Sequence, residues 1–139
     1  MPILLVFNVD NPEKRTAIRL ISMRLGLSVR DVPPEYQSSS LAELLSDAQL
    51  GPPSVDFVPF SDELLVMYDL PSTAFHDLLD TLRREGQSIR LKAVVTDHNR
   101  GWTALHLYQE LCAEEAAVAG IRKQSQSKHP SARSSKRRK

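Results

Sequence analysis

Short aliphatic runs alternate along the chain with segments in which apolar residues recur at helical spacing. Ile3 to Val9 is an apolar run too short for a typical helix, so it predicts a strand that is buried on both faces. Asn11 and Pro12 predict the start of a helix, because asparagine caps free amides and proline suits the first helical position. Gly26 is a typical helix stop, and Ser28 to Val32 is predicted as a second strand.

The second half of the chain repeats this order. Leu64 to Leu70 is again an aliphatic run and is predicted as a strand. After Pro71, apolar residues follow the i, i+3, i+4, i+7 pattern of an amphipathic helix as far as Gly86. Ile89 to Thr96 is predicted as the last strand, because valine is enriched there and polar and apolar residues alternate. Each half therefore reads as strand, helix, strand.

A turn and a third long helix follow the last strand. Polar residues and a glycine at positions 97–101 end the alternating pattern and predict a turn. Thr103 is a good N-cap, because its hydroxyl can accept a hydrogen bond from a free amide of the first helical turn. We expect the helix to run from there to about Ala119 and to end at Gly120.

Two strand–helix–strand units predict an α+β fold, a ferredoxin-like βαββαβ sandwich with an extra C-terminal helix. The first and third strands would be central, and right-handed crossovers would place both long helices on one face. The alternative is a small three-layer α/β fold with a parallel sheet. Residues 34–62 form an irregular insertion whose route distinguishes the two folds, and it contains a short helical pattern, Leu41 to Asp47, that Ser40 could cap.

Composition indicates one domain, residues 1–121, followed by a tail at 122–139. The single cysteine, Cys112, excludes an intramolecular disulfide and favours a reducing compartment. The longest apolar run is too short to cross a membrane, and the first residues lack the pattern of a signal peptide. We therefore expect a cytoplasmic protein that does not associate with membranes.

The net charge of +1 conceals an uneven distribution along the chain. All 17 acidic residues lie within residues 1–121 with ten of the 18 basic ones, so this part carries a net charge of −7. The tail is basic and has no apolar periodicity, which predicts disorder. It could bind nucleic acid weakly and without sequence preference, through phosphate contacts from its last four residues: Lys136, Arg137, Arg138 and Lys139.

Part of the chain resembles a known family. The residues that carry the resemblance are Lys-Ala-Val-Val-Thr at 92–96, Asn99, and Trp-Thr at 102–103, followed by a helix that bears leucine and glutamate. Together they resemble the small bacterial family labelled domain of unknown function 3783, over roughly Leu64 to Glu115. The resemblance implies a fold unit and a distinctive stretch of sequence, and it implies no reaction.

The distinctive stretch supplies the candidate binding residues. Trp102 precedes the predicted cap and lies where a hydrophobic staple would contact Leu107, so we expect its indole to be largely buried. Asn99 in a short turn favours hydrogen bonds to its own backbone over contact with a ligand. Free amides at the helix start, helped by Arg100, could bind a small anion, and the loop could otherwise contact a protein partner. The candidate residues are Lys92, Thr96, Asn99, Arg100, Trp102 and Thr103.

Catalytic and metal motifs are weak by comparison. Asp97 and His98 follow a strand, where α/β folds often place function, and His98 could act as a base. The histidines and Cys112 have no zinc spacing, and no glycine-rich phosphate loop occurs, so we predict no metal and no cofactor. The sequence favours a binding or regulatory module over an enzyme. The alternatives are a nucleic-acid-associated protein that acts through its tail and an enzyme that uses Asp97 and His98.

Overall fold

The computed structural model describes residues 1–54 and 56–127, with side chains as far as Gly120. The chain divides into two compact units. The first unit, Met1–Tyr108, holds every strand of the described residues, and the second begins at Gln109.

The first unit contains a four-stranded sheet with the order β2-β1-β3-β4. Both helix-linked pairs are parallel, β1 with β2 and β3 with β4, whereas the central pair of β1 and β3 is antiparallel. The first and third strands are central, as predicted. The strands are β1 (Ile3–Phe7), β2 (Ser28–Val32), β3 (Leu64–Tyr68) and β4 (Leu91–Val94).

This order is not that of either predicted fold. In a ferredoxin-like sandwich the two strands joined by a helix are separated by another strand, but here they are neighbours. The alternative required a parallel sheet, but the central pair is antiparallel. The structure is instead a mixed α+β fold with one open, mixed sheet. Periodicity predicted the elements correctly, but the order of strands depends on contacts between residues distant in the chain.

Local capping explains where the helices begin and end. The Asn11 side chain accepts from two amides at the start of α1, and Gly26 ends that helix in a left-handed conformation. Ser40 forms a reciprocal capping box with Glu43 at the start of α2. The helices are α1 (Pro12–Leu25), α2 (Leu41–Leu45), α3 (Ser72–Arg84) and α4 (Ala104–Ser127), and a 3₁₀ turn spans Pro34–Tyr36.

One face of the sheet packs against α1 and α3. Alternate residues of a strand point to opposite faces, and Leu4, Val6, Leu65 and Met67 share a buried cluster with residues of both helices. The helix residues of this cluster are Ala17, Ile18, Ile21, Leu78 and Leu82. Both long helices therefore lie on one face, as predicted.

The opposite face is also covered. Ile3, Leu5 and Phe7 are buried there, and α2 contacts β1. Phe60 from the insertion is buried and lies against Phe7, with ring centroids 5.9 Å apart. Two residues earlier, Val58 is 85% exposed. The structure thus has three layers.

Helix α4 is longer than predicted. It continues through Gly120 to Ser127. Glycine costs only about 1 kcal/mol in a helix interior relative to alanine, and the residues around it are mainly good helix formers. Among the described residues, no helix is both long and apolar enough to cross a membrane.

Candidate functional site

The predicted loop at residues 96–103 is organised around Asn99, which is 9% exposed. Its Oδ1 accepts from the Thr96 amide at 2.8 Å, and its Nδ2 donates to the Val94 carbonyl at 3.1 Å. The Thr96 hydroxyl in turn accepts from the Asn99 amide at 3.2 Å. The polar groups of Asn99 and Thr96 therefore bond the local backbone, the role that a turn asparagine most often has.

Trp102 is partly buried. Its ring stacks on His106, with centroids 4.3 Å apart, and meets His98 edge to face at 5.2 Å. The indole lies beside two exposed imidazoles.

The two remaining basic candidates also bond within the protein. The Lys92 Nζ donates to the Ile89 carbonyl at 2.9 Å. The Arg100 guanidinium lies 5.4 Å from the centre of the Tyr68 ring, a cation–π contact. Asp97 and His98, the candidates for catalysis, are both exposed.

The start of α4 is not available to an anion. Thr103 caps the helix as predicted, and its hydroxyl accepts from the His106 amide at 3.0 Å. The Ala104 amide donates to the Ser39 carbonyl at 3.2 Å, and the Leu105 amide donates to the Gln37 carbonyl at 2.9 Å. The anion site expected at these amides is therefore not supported, because tertiary contacts already supply acceptors for them.

Gln37 also anchors the insertion. This side chain is fully buried, and it both donates to the Phe60 carbonyl at 3.1 Å and accepts from the Phe60 amide at 2.8 Å. Asn8 donates to the same carbonyl at 2.8 Å. The Tyr108 ring stacks on Phe60 at 4.2 Å, and its hydroxyl donates to Asp62 at 2.7 Å. Residues around Phe60 are thus held firmly against the sheet.

An open groove lies between α1 and α3, on the side of these helices that faces away from the sheet. It consists of two adjoining clefts of about 490 Å³ and 410 Å³, which share Leu20 and Glu85. Leu20 is 60% exposed and Met23, on the same helix, is 72% exposed. Large apolar side chains exposed together mark a surface of interest, whereas single ones do not.

Charge is distributed unevenly along the groove. The larger cleft contains Arg24 and Arg84, and both guanidinium groups donate to the hydroxyl of Thr81, at 3.5 Å and 3.1 Å. Asp77 pairs with Arg24 at 3.6 Å. The smaller cleft is lined by Glu13 and Glu85 and has no basic lining residue. The groove therefore has a basic end at Arg24 and Arg84 and an acidic end at Glu13, and Leu20 and Glu85 lie where the two clefts join.

Sequence reasoning missed this groove. Of its α1 residues, only Ile21 and Ala17 belong to the buried core, and none of them is an uncommon residue type. The available signal was that Leu20 and Met23 are apolar residues off the buried stripe of an otherwise amphipathic helix.

The other candidate groups in the sequence are the possible metal ligands, Cys112 and the basic tail. Within the part of the chain that the structure describes, no group of three or more histidine, cysteine or acidic residues could hold a metal ion. Cys112 is partly exposed. The four basic residues predicted to contact nucleic acid, Lys136 to Lys139, lie outside the described residues.

Comparison with known proteins identifies one segment of the chain. Residues 63–118 match the family described as Domain of unknown function (DUF3783). The match confirms the resemblance seen in the sequence, and it covers β3, α3, β4 and the first part of α4. All six candidate binding residues lie within the DUF3783 segment, whereas the α1 wall of the groove lies outside it. No curated protein and no solved structure matches the chain.

Proposed function

We propose that this protein is a non-catalytic binding module, and that the groove between α1 and α3 holds a helical segment of a protein partner. The observation that carries the proposal is the pair of adjoining clefts that are both lined by the exposed Leu20. Met23, three residues further along α1, is also exposed. Exposed apolar side chains on a helix face gain free energy when a partner removes them from water.

The charges of the groove define the chemistry of the partner. Arg24 and Arg84 can pair with carboxylates, and guanidinium groups bind carboxylates in well-defined geometry. An amphipathic helix whose apolar face contacts Leu20 and Met23, with acidic residues beside that face, fits this surface best. The bonds that both arginines make to Thr81 hold the two guanidinium groups near one another before a partner arrives.

The loop at 96–103 is the second candidate surface, favoured by the half-buried Trp102 and its two imidazole neighbours. There the contribution of Asn99 would be to hold the loop in shape around Trp102, while Arg100 lies against the Tyr68 ring and Lys92 bonds carbonyls that precede β4. We rank this surface below the groove, because the polar groups of Asn99 and Thr96 are already bonded to the local backbone.

The test uses the full chain labelled with ¹⁵N and a synthetic helical peptide with leucine on one face and glutamate beside it. Chemical shift changes should map to Leu20, Met23, Arg24 and Arg84. Replacing both arginines by glutamine should weaken binding by at least tenfold, while the same peptide with glutamine for glutamate should bind equally poorly to both proteins.

The matched control is Val58→Ser, since Val58 is also exposed but lies in the insertion. It should leave peptide binding unchanged, whereas Leu20→Ser combined with Met23→Ser should abolish it. Shift changes at residues 96–103 instead would transfer the function to the loop. No binding at millimolar peptide, or a concentration-dependent dimer through the groove, would refute the proposed partner.

A further inference from the structure

Beyond the proposed function, we propose that residues 3–45 are a diverged second copy of the unit formed by residues 64–108. The seam between the two copies is formed by β1 against β3 and by the starts of α2 and α4. It is then an interface through which such units assemble as pairs. Each unit has a strand, a helix, a second parallel strand and the start of a second helix: β1, α1, β2 and α2 in the first, β3, α3, β4 and α4 in the second.

The turns of the two units agree in backbone conformation. A residue with positive φ follows each central strand, Asn8 at 61° and Asp69 at 60°. Positive φ is uncommon for residues other than glycine, so its occurrence at both positions is informative. A left-handed glycine also follows each long helix, Gly26 at 74° and Gly86 at 70°. The residue after each glycine donates its amide to a helix carbonyl five residues earlier, at 2.8 Å in both units.

The central strands pair about a two-fold axis. Leu5 lies opposite Val66, and the flanking pairs are Ile3 with Tyr68 and Phe7 with Leu64. Adding 61 to each β1 residue number gives its counterpart in β3. This operation leaves the central pair unchanged and exchanges the two flanking pairs, which is the defining property of an isologous contact.

The same symmetry holds where the second helices begin. The Leu41 amide donates to the Trp102 carbonyl at 2.9 Å, and the Ala104 amide donates to the Ser39 carbonyl at 3.2 Å. Each bond becomes the other when 63 is added to the residue number in the copy at 3–45 and subtracted from the residue number in the copy at 64–108. Ser40 and Thr103, which are counterparts, face each other in an antiparallel bridge.

A second pair of bonds obeys the same rule. The Ala42 amide donates to the Arg100 carbonyl at 3.0 Å, and the Leu105 amide donates to the Gln37 carbonyl at 2.9 Å. Each helix start therefore obtains acceptors for its first two amides from the loop before the other helix. Such amides have no partner within their own helix, so the exchange satisfies both units at once.

The DUF3783 match, residues 63–118, contains the copy at 64–108 and no residue of the copy at 3–45. Without a partner, that unit would expose the edge of β3 and leave the first amides of α4 without these acceptors, and both are unfavourable. A second unit of the same kind supplies both needs. In this chain residues 3–45 act as that partner. Residues 46–62, the later part of the insertion, link the two copies covalently, and those of them that the structure describes contain no helix or strand.

The test cuts the full chain between the two units. A protease site inserted after Gly51, which is exposed, allows the folded protein to be cleaved in solution. Sedimentation velocity should then show both pieces in one particle at micromolar concentration, with an unchanged circular dichroism spectrum. Pieces that separate at tens of micromolar without denaturant would overturn the proposal.

Matched proline substitutions then test the two-fold relation. Ala42→Pro and Leu105→Pro each remove one bond of the symmetric pair, at the second residue of α2 and of α4. Both should raise the dissociation constant of the cut pieces, by roughly fivefold for one hydrogen bond. Thr73→Pro, at the second residue of α3, should leave it unchanged. Equal weakening by all three, or an effect of only one of the seam variants, would refute an isologous interface.

Discussion

The loop at 96–103 and the groove between α1 and α3 differ in how they use their side chains. The loop contains the only tryptophan, an asparagine and Arg100, and contacts within the protein account for each of them. The groove is built from ordinary residue types, yet Leu20, which lines both clefts, remains exposed to solvent.

This difference shows that uncommon residue types mark structural demands as readily as functional ones. A turn that ends a strand and starts a helix requires specific hydrogen bonds, so it selects asparagine and threonine. A docking surface for an amphipathic helix requires only apolar side chains beside charges. The following changes test this contrast, beginning with the one expected to have the largest effect.

Replacing Asn99 by alanine should destabilise the protein by about 2–3 kcal/mol. The change removes a bond to the Thr96 amide and another to the Val94 carbonyl, both partly buried, and each such hydrogen bond contributes about 0.5–1.5 kcal/mol. Urea unfolding of the full chain measures the loss. Asp97→Ala, at the exposed neighbour, is the control and should change stability by less than about 0.5 kcal/mol. A matching small loss for Asn99→Ala would mean that its side chain serves binding instead.

Trp102→Ala should cost about 2 kcal/mol, because truncation of a large buried aromatic costs about 3–5 kcal/mol and this indole is half-buried. Trp102→Phe should recover part of the loss by keeping a ring against His106. Unfolding curves of the two variants give the comparison. Unaltered stability in Trp102→Ala would contradict the structural role and favour the loop as a recognition surface.

Leu20→Ser combined with Met23→Ser should leave stability within about 0.5 kcal/mol, the usual range for exposed positions. The same variant should lose binding of the acidic helical peptide. Thermal melts and peptide titrations separate the two effects. A loss of stability above about 1 kcal/mol would show that these side chains pack against the fold and would remove the contrast with the loop.

Removal of residues 128–139 should have the smallest effect on either region. The cut follows Ser127 because α4 extends beyond the predicted end at Gly120. The melting temperature should stay the same, while any weak, salt-sensitive binding of nucleic acid should disappear with the basic residues. Retained nucleic-acid binding would place that activity in the folded part of the chain.

Much of the local structure follows from the sequence, since the caps at Asn11, Ser40 and Thr103 and the stop at Gly26 depend on residues within one turn. The failures have equally local reasons. One glycine is too small a penalty to end α4 among good helix formers. For Trp102, spacing from the cap indicated the staple position but not which neighbours would surround the ring.

By itself the sequence determined the strands, the helices and the matching order of the two halves, because periodicity and capping act over a few residues. Only the tertiary structure decided the strand order, the exchange of hydrogen bonds between the starts of α2 and α4, and the groove between α1 and α3. These features join residues about 60 positions apart, and their geometry depends on how the two halves pack. No local pattern in the chain records that packing.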